Sequence, residues 1–425
     1  MKLKGAPFCS EKDFADAIAV IEESKMRDVV LGLVKPAYAP GGYYGQCWWS
    51  LDYALACEGV KWYDFETARD LIHNLRATQC EDGRIKLYGI DNFNHIPNVQ
   101  EPISSLPKYF ETCYAIACMS GDPELCRETL ELFERSISWW VEKRLDRETG
   151  LFTAVFEESF IANTESSSGR YAPVDTNIQL AIGMENTARL MRILGENGAE
   201  DYENMAVSVK EAVQKWLWND EAKAYFPIVL PEKKQYPALM GSTFMGMNGA
   251  PEDRCRHMET LLKNNDRFGW EETPITSVAK DDPLFVIITG DYCGNPSWSG
   301  SIWSMINEQT VRALQAAGRQ ETACQLAVKT AEAFAGNYAE FLHPFTRSGE
   351  GVHRYAWTAA QCVRLVVEVI FGVSYDGFAK TITAAPLFCP ELQNVRMTLM
   401  DLDLPDGRKA DVAVCNGQVE ITLHE

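Results

Sequence analysis

Apolar side chains recur at intervals of three and four residues through most of this chain, a pattern that predicts amphipathic helices. The segment that Gly195 closes is an example. There, Leu180, Met184 and Met191 share one face, which must pack against other helices. The segments with this periodicity are 11–27, 46–58, 64–79, 104–119, 123–144, 174–195, 200–218, 251–265, 298–317, 319–336 and 355–372.

These helical segments are short, and loops rich in Gly, Pro, Asn and Asp of unequal length join them. The chain lacks the alternation of strands and helices of a Rossmann-like fold, and it lacks the fixed repeat length of a solenoid. The pattern therefore predicts an all-α toroid of helix hairpins in two concentric layers. Such a toroid gathers its long loops at one end.

Beyond residue 379 the pattern changes to short β-branched or alternating runs. Pro405-Asp406-Gly407 and Asn416-Gly417 are turn signals between them. We therefore predict a helical domain over residues 1–378 and a small antiparallel β-sheet over residues 379–425 that packs on the helices. The predicted strands are 381–383, 395–399, 410–414 and 419–423.

Charge and composition narrow the classes of ligand. The formal net charge of −20 disfavours nucleic acid and anionic membranes, because both would be repelled at long range. Aromatic residues make up 11% of the chain and include eleven Trp, which is more aromatic surface than a core requires. A small neutral ligand such as a carbohydrate is the expected partner, with no nucleic acid and no membrane.

Cysteine and histidine usage gives no indication of a metal site. The thirteen cysteines are scattered singly without a Cys-x-x-Cys pair, so we expect neither zinc nor a disulfide framework. The six histidines show no ligand spacing, and no cofactor is predicted. There is no apolar run of signal-peptide or membrane-spanning length. A cytoplasmic protein with reduced thiols is the expectation.

Glu340 is the most informative candidate residue, because it lies on a Gly- and Pro-rich loop where an acid has no packing role. Tyr338 precedes it and Trp357 follows it. Aromatic rings can stack on the apolar faces of sugars, and a carboxylate can take a proton from an attacking water. These residue types favour a sugar-cleaving site. A solvated loop acid is the alternative.

A second candidate segment, residues 41–53, is a glycine-rich loop that leads into a helix. Trp48, Trp49 and Asp52 lie near the start of that helix. Asp52 can hydrogen-bond two sugar hydroxyls while one Trp stacks on the ring. Alternatively, Asp52 stabilises the helix N-terminus and the Trp pair belongs to the core.

Two adjacent acids, Glu157 and Glu158, follow an apolar run and precede the polar loop 163–170. An apolar environment would raise the pKa of one carboxyl toward that of a general acid. The sequence does not choose between the two residues. The alternative is a loop acid with a solvated neighbour.

Residues 291–307 form a loop of small residues that leads into a helix with Trp298 and Trp303 at its start. Small residues let the backbone and a ring approach a ligand closely. A Trp-rich contact between helices explains the same residues equally well.

The order of these motifs resembles the glycoside hydrolases with an (α/α)6 barrel, which include trehalase, glucoamylase and the oligosaccharide-processing α-glucosidases with their bacterial relatives, among them mannosylglycerate-hydrolase-like proteins. The resemblance covers roughly residues 40–375. It rests on Trp49-Ser50-Leu51-Asp52, the acid pair, Pro173-Val174-Asp175-Thr176-Asn177, the run Trp298 to Asn307, and Glu340 with Trp357-Thr358.

This resemblance implies an all-α (α/α)6 toroid barrel and an inverting hydrolase. Glu340 matches the general base of these families, and Glu157 resembles the acid of the glucoamylase Trp-Glu-Glu motif, with Phe156 in place of the Trp. Asp52 matches the acid that holds the outer hydroxyls of the sugar. We therefore expect cleavage of an α-glucoside or a related short oligosaccharide.

The chain also departs from these families. It lacks the Ser-Gly-Trp-Asp segment of trehalases, and Ser50 and Leu51 stand where glucoamylases carry Arg. The Trp-Arg-Gly-Pro of the processing glucosidases is Trp298-Ser299-Gly300-Ser301 here. The missing arginines indicate a different contact with substrate, so the sugar, linkage and anomer stay open.

Three other functions fit the same sequence. A phosphorylase on this scaffold would use phosphate in place of activated water and would not need Glu340. An epimerase or lyase would rely on histidines, and His343 and His353 lie near Glu340. A non-catalytic sugar-binding or helical scaffold protein would bind without turnover.

Overall fold

The computed structural model describes residues 1–91, 102–160, 171–287 and 299–424. Within these ranges the protein is rich in helices. The helices are α1 (Glu11–Glu23), α2 (Ser50–Val60), α3 (Phe65–Thr78), α4 (Tyr109–Ser120), α5 (Pro123–Lys143), α6 (Val174–Leu194), α7 (Ala199–Trp216), α8 (Glu252–Leu262), α9 (Asn265–Phe268), α10 (Ser304–Ala316), α11 (Gln320–Phe334) and α12 (Ala356–Arg364).

Each helical segment predicted from the periodicity contains a helix, so that part of the prediction is confirmed. In the described residues, the helical elements that escape the prediction are α9 and the 3₁₀ helices Gly42–Tyr44, Phe156–Glu158, Gly241–Met247 and Pro390–Leu392. The helix α9 is a single turn, too short to show a period. Residues Gly241–Met247 form a 3₁₀ helix, and its two glycines are poor helix formers. A π-helical turn, Leu365–Ile370, continues α12.

Two kinds of helix are distinguished by burial. Every residue of α2 is buried, as expected for a helix enclosed by neighbours on all sides. By contrast, α5 and α7 bury one stripe and expose the other face. The chain therefore contains an inner and an outer set of helices.

The inner helices contact one another in a closed circuit. Helix α2 packs against α4, α4 against α6, and α6 against the 3₁₀ helix Gly241–Met247. This 3₁₀ helix packs against α10, α10 against α12, and α12 against α2 again. Outside the circuit, α1 packs on α12, α3 on α2, α5 on α4 and α6, α7 on α6, and α11 on α10.

The strands are short and lie mainly in hairpins and at the C-terminus. They are β1 (Lys2–Lys4), β2 (Leu145–Asp146), β3 (Leu151–Phe152), β4 (Tyr171–Ala172), β5 (Trp218–Asn219), β6 (Ala224–Tyr225), β7 (Ile228–Val229), β8 (Lys234–Gln235), β9 (Phe341–Leu342), β10 (Gly349–Glu350), β11 (Val373–Asp376), β12 (Thr381–Ala384), β13 (Arg396–Asp403), β14 (Lys409–Cys415) and β15 (Gln418–His424).

The predicted strands of the C-terminal segment are confirmed, but they do not form one sheet. The antiparallel sheet has the order β1-β13-β14-β15, whereas β12 forms a separate hairpin with β11. Its edge strand β1 comes from the N-terminus, where Leu3 pairs with Leu399. Three residues carry too little pattern for this strand to be predicted. The domain boundary after residue 378 stays a prediction.

Two buried asparagines fix the loops that precede inner helices. The side-chain oxygen of Asn177 accepts a hydrogen bond from the Phe152 N–H at 2.7 Å, and its amide nitrogen donates to the Phe152 carbonyl at 2.9 Å. Asn307 makes the same pair of bonds with Ile275, at 2.9 and 3.0 Å. Each asparagine is the fourth residue of its helix, α6 or α10. Both helices therefore start in the same relation to the preceding segment.

A network of charged side chains lies between α2, α4, α10 and α12. Lys108 is fully buried, and its Nζ lies 2.5 Å from Glu111, 3.3 Å from Glu308 and 3.6 Å from Glu58. The carboxylates and cations balance in number, so the network adds little net charge. Its members are Glu58, Lys61, Lys108, Glu111, Glu308, Arg312, Arg364 and Glu368.

Candidate active site

A cavity opens where the N-terminal ends of α2, α10 and α12 meet. It encloses about 750 Å³ of empty space including its open mouth. The positive ends of the helix dipoles point toward it and favour acidic groups there. Its lining residues are Pro40, Tyr44, Trp49, Leu51, Asp52, Leu87, Glu157, Phe160, Trp303, Glu340, Tyr355 and Trp357.

Short backbone bridges connect the loops that carry these residues. Ile302, which precedes Trp303, pairs with Leu342 through two hydrogen bonds of 2.9 Å. Gly41 pairs with Tyr355, and Trp49 pairs with Tyr88. Loops that are far apart in the sequence therefore form one continuous wall around the cavity.

Glu340 is a buried acid in this wall. It is only 5% exposed, and its carboxylate accepts a hydrogen bond of 3.1 Å from the Val352 N–H. Gly351 has a φ of +70°, and a Cβ at that position would lie 2.7 Å from the Glu340 carboxylate, so glycine is required there. Burial raises the pKa of Glu340 to about 7, the hydrogen bond from Val352 opposes the rise, and the charge of Glu157 adds to it.

Glu157 is the second acid of the cavity and lies on the 3₁₀ turn Phe156–Glu158. Its side chain is half-buried. Desolvation raises the pKa of Glu157 to about 7. A carboxyl with such a pKa can hold a proton near neutral pH and donate it.

Glu158, the other sequence candidate of this pair, lies outside the cavity lining. Its two carboxylate oxygens are 2.8 and 3.0 Å from the guanidinium of Arg144. They also accept hydrogen bonds from the N–H groups of Ser104 and Val155 at 2.8 and 3.0 Å. The Glu158 carboxylate therefore joins the turn that carries Glu157 to two neighbouring segments, which is a positioning role.

Asp52 lies in the first turn of α2 and lines the same cavity. The hydroxyl of Tyr355 donates a hydrogen bond of 3.0 Å to Asp52 Oδ1. Burial raises the pKa of Asp52 well above its usual range, and the charges of Glu157 and Glu340 contribute to the rise. The three carboxyl groups therefore interact with one another across the cavity.

Aromatic rings form much of the remaining wall. The ring centroids of Trp303 and Trp357 are 6.0 Å apart, and Tyr355 lies 4.9 Å from Trp357. Trp49 stacks on Tyr88 at 5.5 Å with an interplanar angle of 25°. The cavity thus combines acids with flat apolar surfaces, as a sugar requires.

Three further sequence candidates do not contribute to the described lining. Trp48 is 1% exposed and belongs to the core. Tyr338 is buried, and its hydroxyl donates a 2.8 Å hydrogen bond to the Asp13 carbonyl. Trp298 lies outside the described residues.

Sequence reasoning did not identify Tyr44, Tyr355 and Phe160 as parts of the cavity wall. A signal was available for two of them. Tyr44 lies in the same glycine-rich loop as the tryptophan candidates, and Tyr355 directly precedes α12. Tyr355 was detectable because the residue before an inner helix faces the same end as Trp303, which directly precedes α10.

The two histidines near Glu340 do not line the cavity. The Nδ1 atom of His343 accepts hydrogen bonds from the N–H groups of Phe345 and Thr346, at 3.2 and 3.1 Å, and so caps a turn. His353 is exposed. In the described part of the chain, no cluster of His, Cys, Asp and Glu has the arrangement of a metal site. None of the helices described there has the length and apolar character needed to span a bilayer.

Most of the helical region matches one family model. The model of the mannosylglycerate hydrolase MGH1-like glycoside hydrolase domain covers residues 43–358. A mannosylglycerate hydrolase from Rubrobacter radiotolerans is 27% identical over 196 residues, which are 45% of this chain and 43% of the relative. A periplasmic trehalase from Escherichia coli is 21% identical over 313 residues, which are 57% and 53% of the two chains. The chain thus spans about half the length of these relatives.

A solved structure shows the same fold. The GH63 mannosylglycerate hydrolase from Thermus thermophilus, in complex with glucose, superposes with a TM-score of 0.67 at 17% identity. The match covers 83% of this chain and 99% of that chain. At this level of identity the likeness concerns the fold alone.

Proposed function

Because the chain belongs to the mannosylglycerate hydrolase MGH1-like glycoside hydrolase family, we propose that it is an inverting glycosidase that hydrolyses a neutral glycoside. The observation that carries this proposal is the pair Glu157 and Glu340. Both acids line one cavity, and the pKa of each is raised to about 7. Two carboxyl groups on one sugar site are the machinery of glycoside hydrolysis.

In the proposed reaction, Glu157 protonates the glycosidic oxygen as the bond to the anomeric carbon breaks. Glu340 takes a proton from a water molecule, and the water oxygen bonds to the opposite face of that carbon. Inversion requires the two carboxyl groups to lie roughly 6.5–9.5 Å apart so that the water fits between them and the sugar. The positioning of Glu157 by the Arg144–Glu158 pair supports its assignment as the acid.

Asp52 completes the proposed site by binding hydroxyl groups of the sugar. The hydrogen bond from Tyr355 holds Asp52 Oδ1, and a carboxyl group has a second oxygen with which it can bind a hydroxyl. Trp303 and Trp357 provide flat surfaces against which the sugar ring can pack. We further propose that the closed circuit of inner helices is an (α/α)6 barrel whose open end is this site.

We propose a short, neutral α-glucoside or a related oligosaccharide as the substrate class. With Glu157 protonated and Glu340 ionised, as the reaction requires, the cavity lining carries the negative charge of Glu340, which would repel an anionic leaving group. Mannosylglycerate contains such a group, so its hydrolysis by this chain should be weaker than that of the uncharged mannosylglycerol.

The decisive experiment is a screen of disaccharides, aryl glycosides and this charged and uncharged pair, with the anomer of the first product read by proton NMR. We expect cleavage without added phosphate and a product of inverted configuration. A product of retained configuration would contradict the roles of Glu157 and Glu340. Turnover that depends on phosphate would instead identify a phosphorylase.

The pH dependence provides a second test. The proposed acid must be protonated and the proposed base ionised, and the pKa of each is raised to about 7. Activity should therefore fall below neutral pH as Glu340 gains a proton and above it as Glu157 loses one. We expect a bell-shaped profile of kcat/KM centred near pH 7. Because the two carboxyl groups interact, the two apparent pKa values of this profile describe the pair and not either residue alone. A profile that is flat from about pH 5 to about pH 9 would exclude this assignment.

A further inference from the structure

A series of aromatic rings leads from the cavity to its outer rim. Tyr355 lies next to Trp357 in the wall, and its ring centroid is 6.1 Å from that of Tyr44. Tyr44 in turn contacts Trp49 at 5.0 Å and Tyr43 at 5.3 Å. Tyr44 and Trp49 line the cavity, and Tyr43 is the next ring outward.

Tyr43 is unusually exposed for a tyrosine that adjoins a binding cavity. Its side chain is 76% exposed, and it lies on the 3₁₀ turn Gly42–Tyr44. A Cβ added to Gly42 or Gly45 would meet no atom within 4 Å, so this turn projects into open space. The core gains little from the ring of Tyr43, which is available for a ligand instead.

Tyr43 lies on the side of the cavity through which the leaving group would exit. Asp52, Trp303 and Trp357 are the deeply buried part of the lining, with 5%, 1% and 4% of their surface exposed, whereas Tyr44 and Trp49 are partly exposed. A sugar bound there would direct its leaving group through the mouth, toward Tyr44 and Tyr43. An exposed tyrosine ring offers a pyranose an apolar face and a hydroxyl for hydrogen bonding.

We propose that Tyr43 and Tyr44 form an outer subsite that binds a further pyranose ring on the leaving-group side of the cleaved bond. This inference rests on the proposed function. If this subsite is present, the preferred substrate is an oligosaccharide of at least three sugar units. A disaccharide lacks the unit that would bind there and should be cleaved less efficiently.

Kinetics with oligosaccharides of increasing length test this subsite. For the linkage that the protein cleaves, kcat/KM is measured with chains of two, three and four units in the wild type, Tyr43→Ala and Tyr43→Phe. We expect the wild type to prefer three units over two. Tyr43→Ala should lower this preference about threefold to tenfold, as expected for a lost ring contact, and Tyr43→Phe should retain most of it.

A matched control is Phe388→Ala, which removes a 44% exposed ring in the segment between β12 and β13. It should leave the ratio of the two kcat/KM values unchanged. Equal kcat/KM for all lengths in the wild type, or an unaltered ratio in Tyr43→Ala, would overturn the outer subsite while leaving hydrolysis intact.

Binding separates this proposal from the proposed function. α-Linked gluco-oligosaccharides of two, three and four units are titrated calorimetrically into Glu340→Gln and into Glu340→Gln with Tyr43→Ala. Affinity that rises with length only when Tyr43 is present supports the subsite even if the wild type hydrolyses nothing. Absence of binding at every length would overturn it.

Discussion

Replacement of Glu340 by glutamine is expected to lower kcat/KM on a cleaved glycoside by about 10²- to 10⁴-fold, the usual contribution of general base catalysis. The amide keeps the shape of the side chain and can still accept a hydrogen bond from the Val352 N–H. It cannot take the proton of the attacking water. The loss should therefore lie mainly in kcat, with little change in KM.

The same substitution should leave the fold intact and raise its stability at alkaline pH. Burial raises the pKa of Glu340 from 4.5 to about 7, so the folded protein holds this proton more tightly than the unfolded chain. This carboxyl therefore lowers the free energy of unfolding as pH rises from about 4.5 to 7. Thermal unfolding at about pH 8, above both pKa values, should show a higher Tm for Glu340→Gln than for the wild type.

The matched control is Glu350→Gln, in strand β10, where Glu350 pairs with Phe341, the residue after Glu340. Glu350 is half-exposed and accepts a hydrogen bond from Ser348 at 2.8 Å, and it does not line the cavity. Its amide variant should keep wild-type turnover. Full activity in Glu340→Gln would remove the proposed base, and a lower Tm would contradict the charge argument.

Replacement of Lys108 by methionine is expected to destabilise the protein by about 3–5 kcal/mol, the usual cost of leaving buried charges without their partner. Burial alone would lower the pKa of Lys108, but Glu111, Glu308 and Glu58 outweigh it and raise the pKa above its ordinary value. Without the ammonium group, these three buried carboxylates would repel one another. Urea unfolding followed by circular dichroism measures the loss.

Two comparison variants make this result specific. Lys25→Met breaks a half-exposed ion pair with Asp64, whose atoms are 3.4 Å apart, and should cost less than about 1 kcal/mol. Adding Glu111→Gln to Lys108→Met should restore part of the stability, because one uncompensated charge is removed. If Lys108→Met costs no more than Lys25→Met, the network is not a source of stability.

The network also bears on the site, because its members lie on the helices that form the cavity wall. Glu308 follows Trp303 by five residues along α10, and Arg364 follows Trp357 by seven along α12. At about 1.5 Å per residue, the charges lie one to two turns beneath the rings. Lys108→Met should therefore also lower affinity for substrate if the helices shift.

Much of the fold could be predicted because it depends on local pattern. The outer helices α5 and α7 each bury one stripe of apolar residues. Their boundaries carry recognisable signals, such as Pro123 at the start of α5. The strand β1 and the 3₁₀ helix Gly241–Met247 could not be predicted, because distant partners determine them. The first pairs with β13, and the second packs against α6 and α10.

The candidate site could be predicted in part for a related reason. Glu340 and Asp52 stand out by residue type and by their place beside loops and helix starts. The choice between Glu157 and Glu158 depends on Arg144, which lies 13 and 14 residues earlier and pairs with Glu158. Similarly, Trp48 and Trp49 are adjacent in the sequence, but Trp48 is buried in the core. Only the tertiary structure shows that Trp49 lines the cavity.

The paired hydrogen bonds of Asn177 and Asn307 have a consequence for how new specificities could arise. These bonds hold Phe152 and Ile275 against the helices that follow them. The stretches 153–173 and 276–303 therefore begin and end at fixed anchor points. Insertions, deletions or transplanted sequences in these stretches that spare Glu157, Glu158 and Trp303 should leave α6 and α10 in place. Diversification by evolution or in a library should therefore be tolerated between these anchors outside Glu157, Glu158 and Trp303. Replacement of either asparagine by aspartate, which lacks the donor, should not be tolerated.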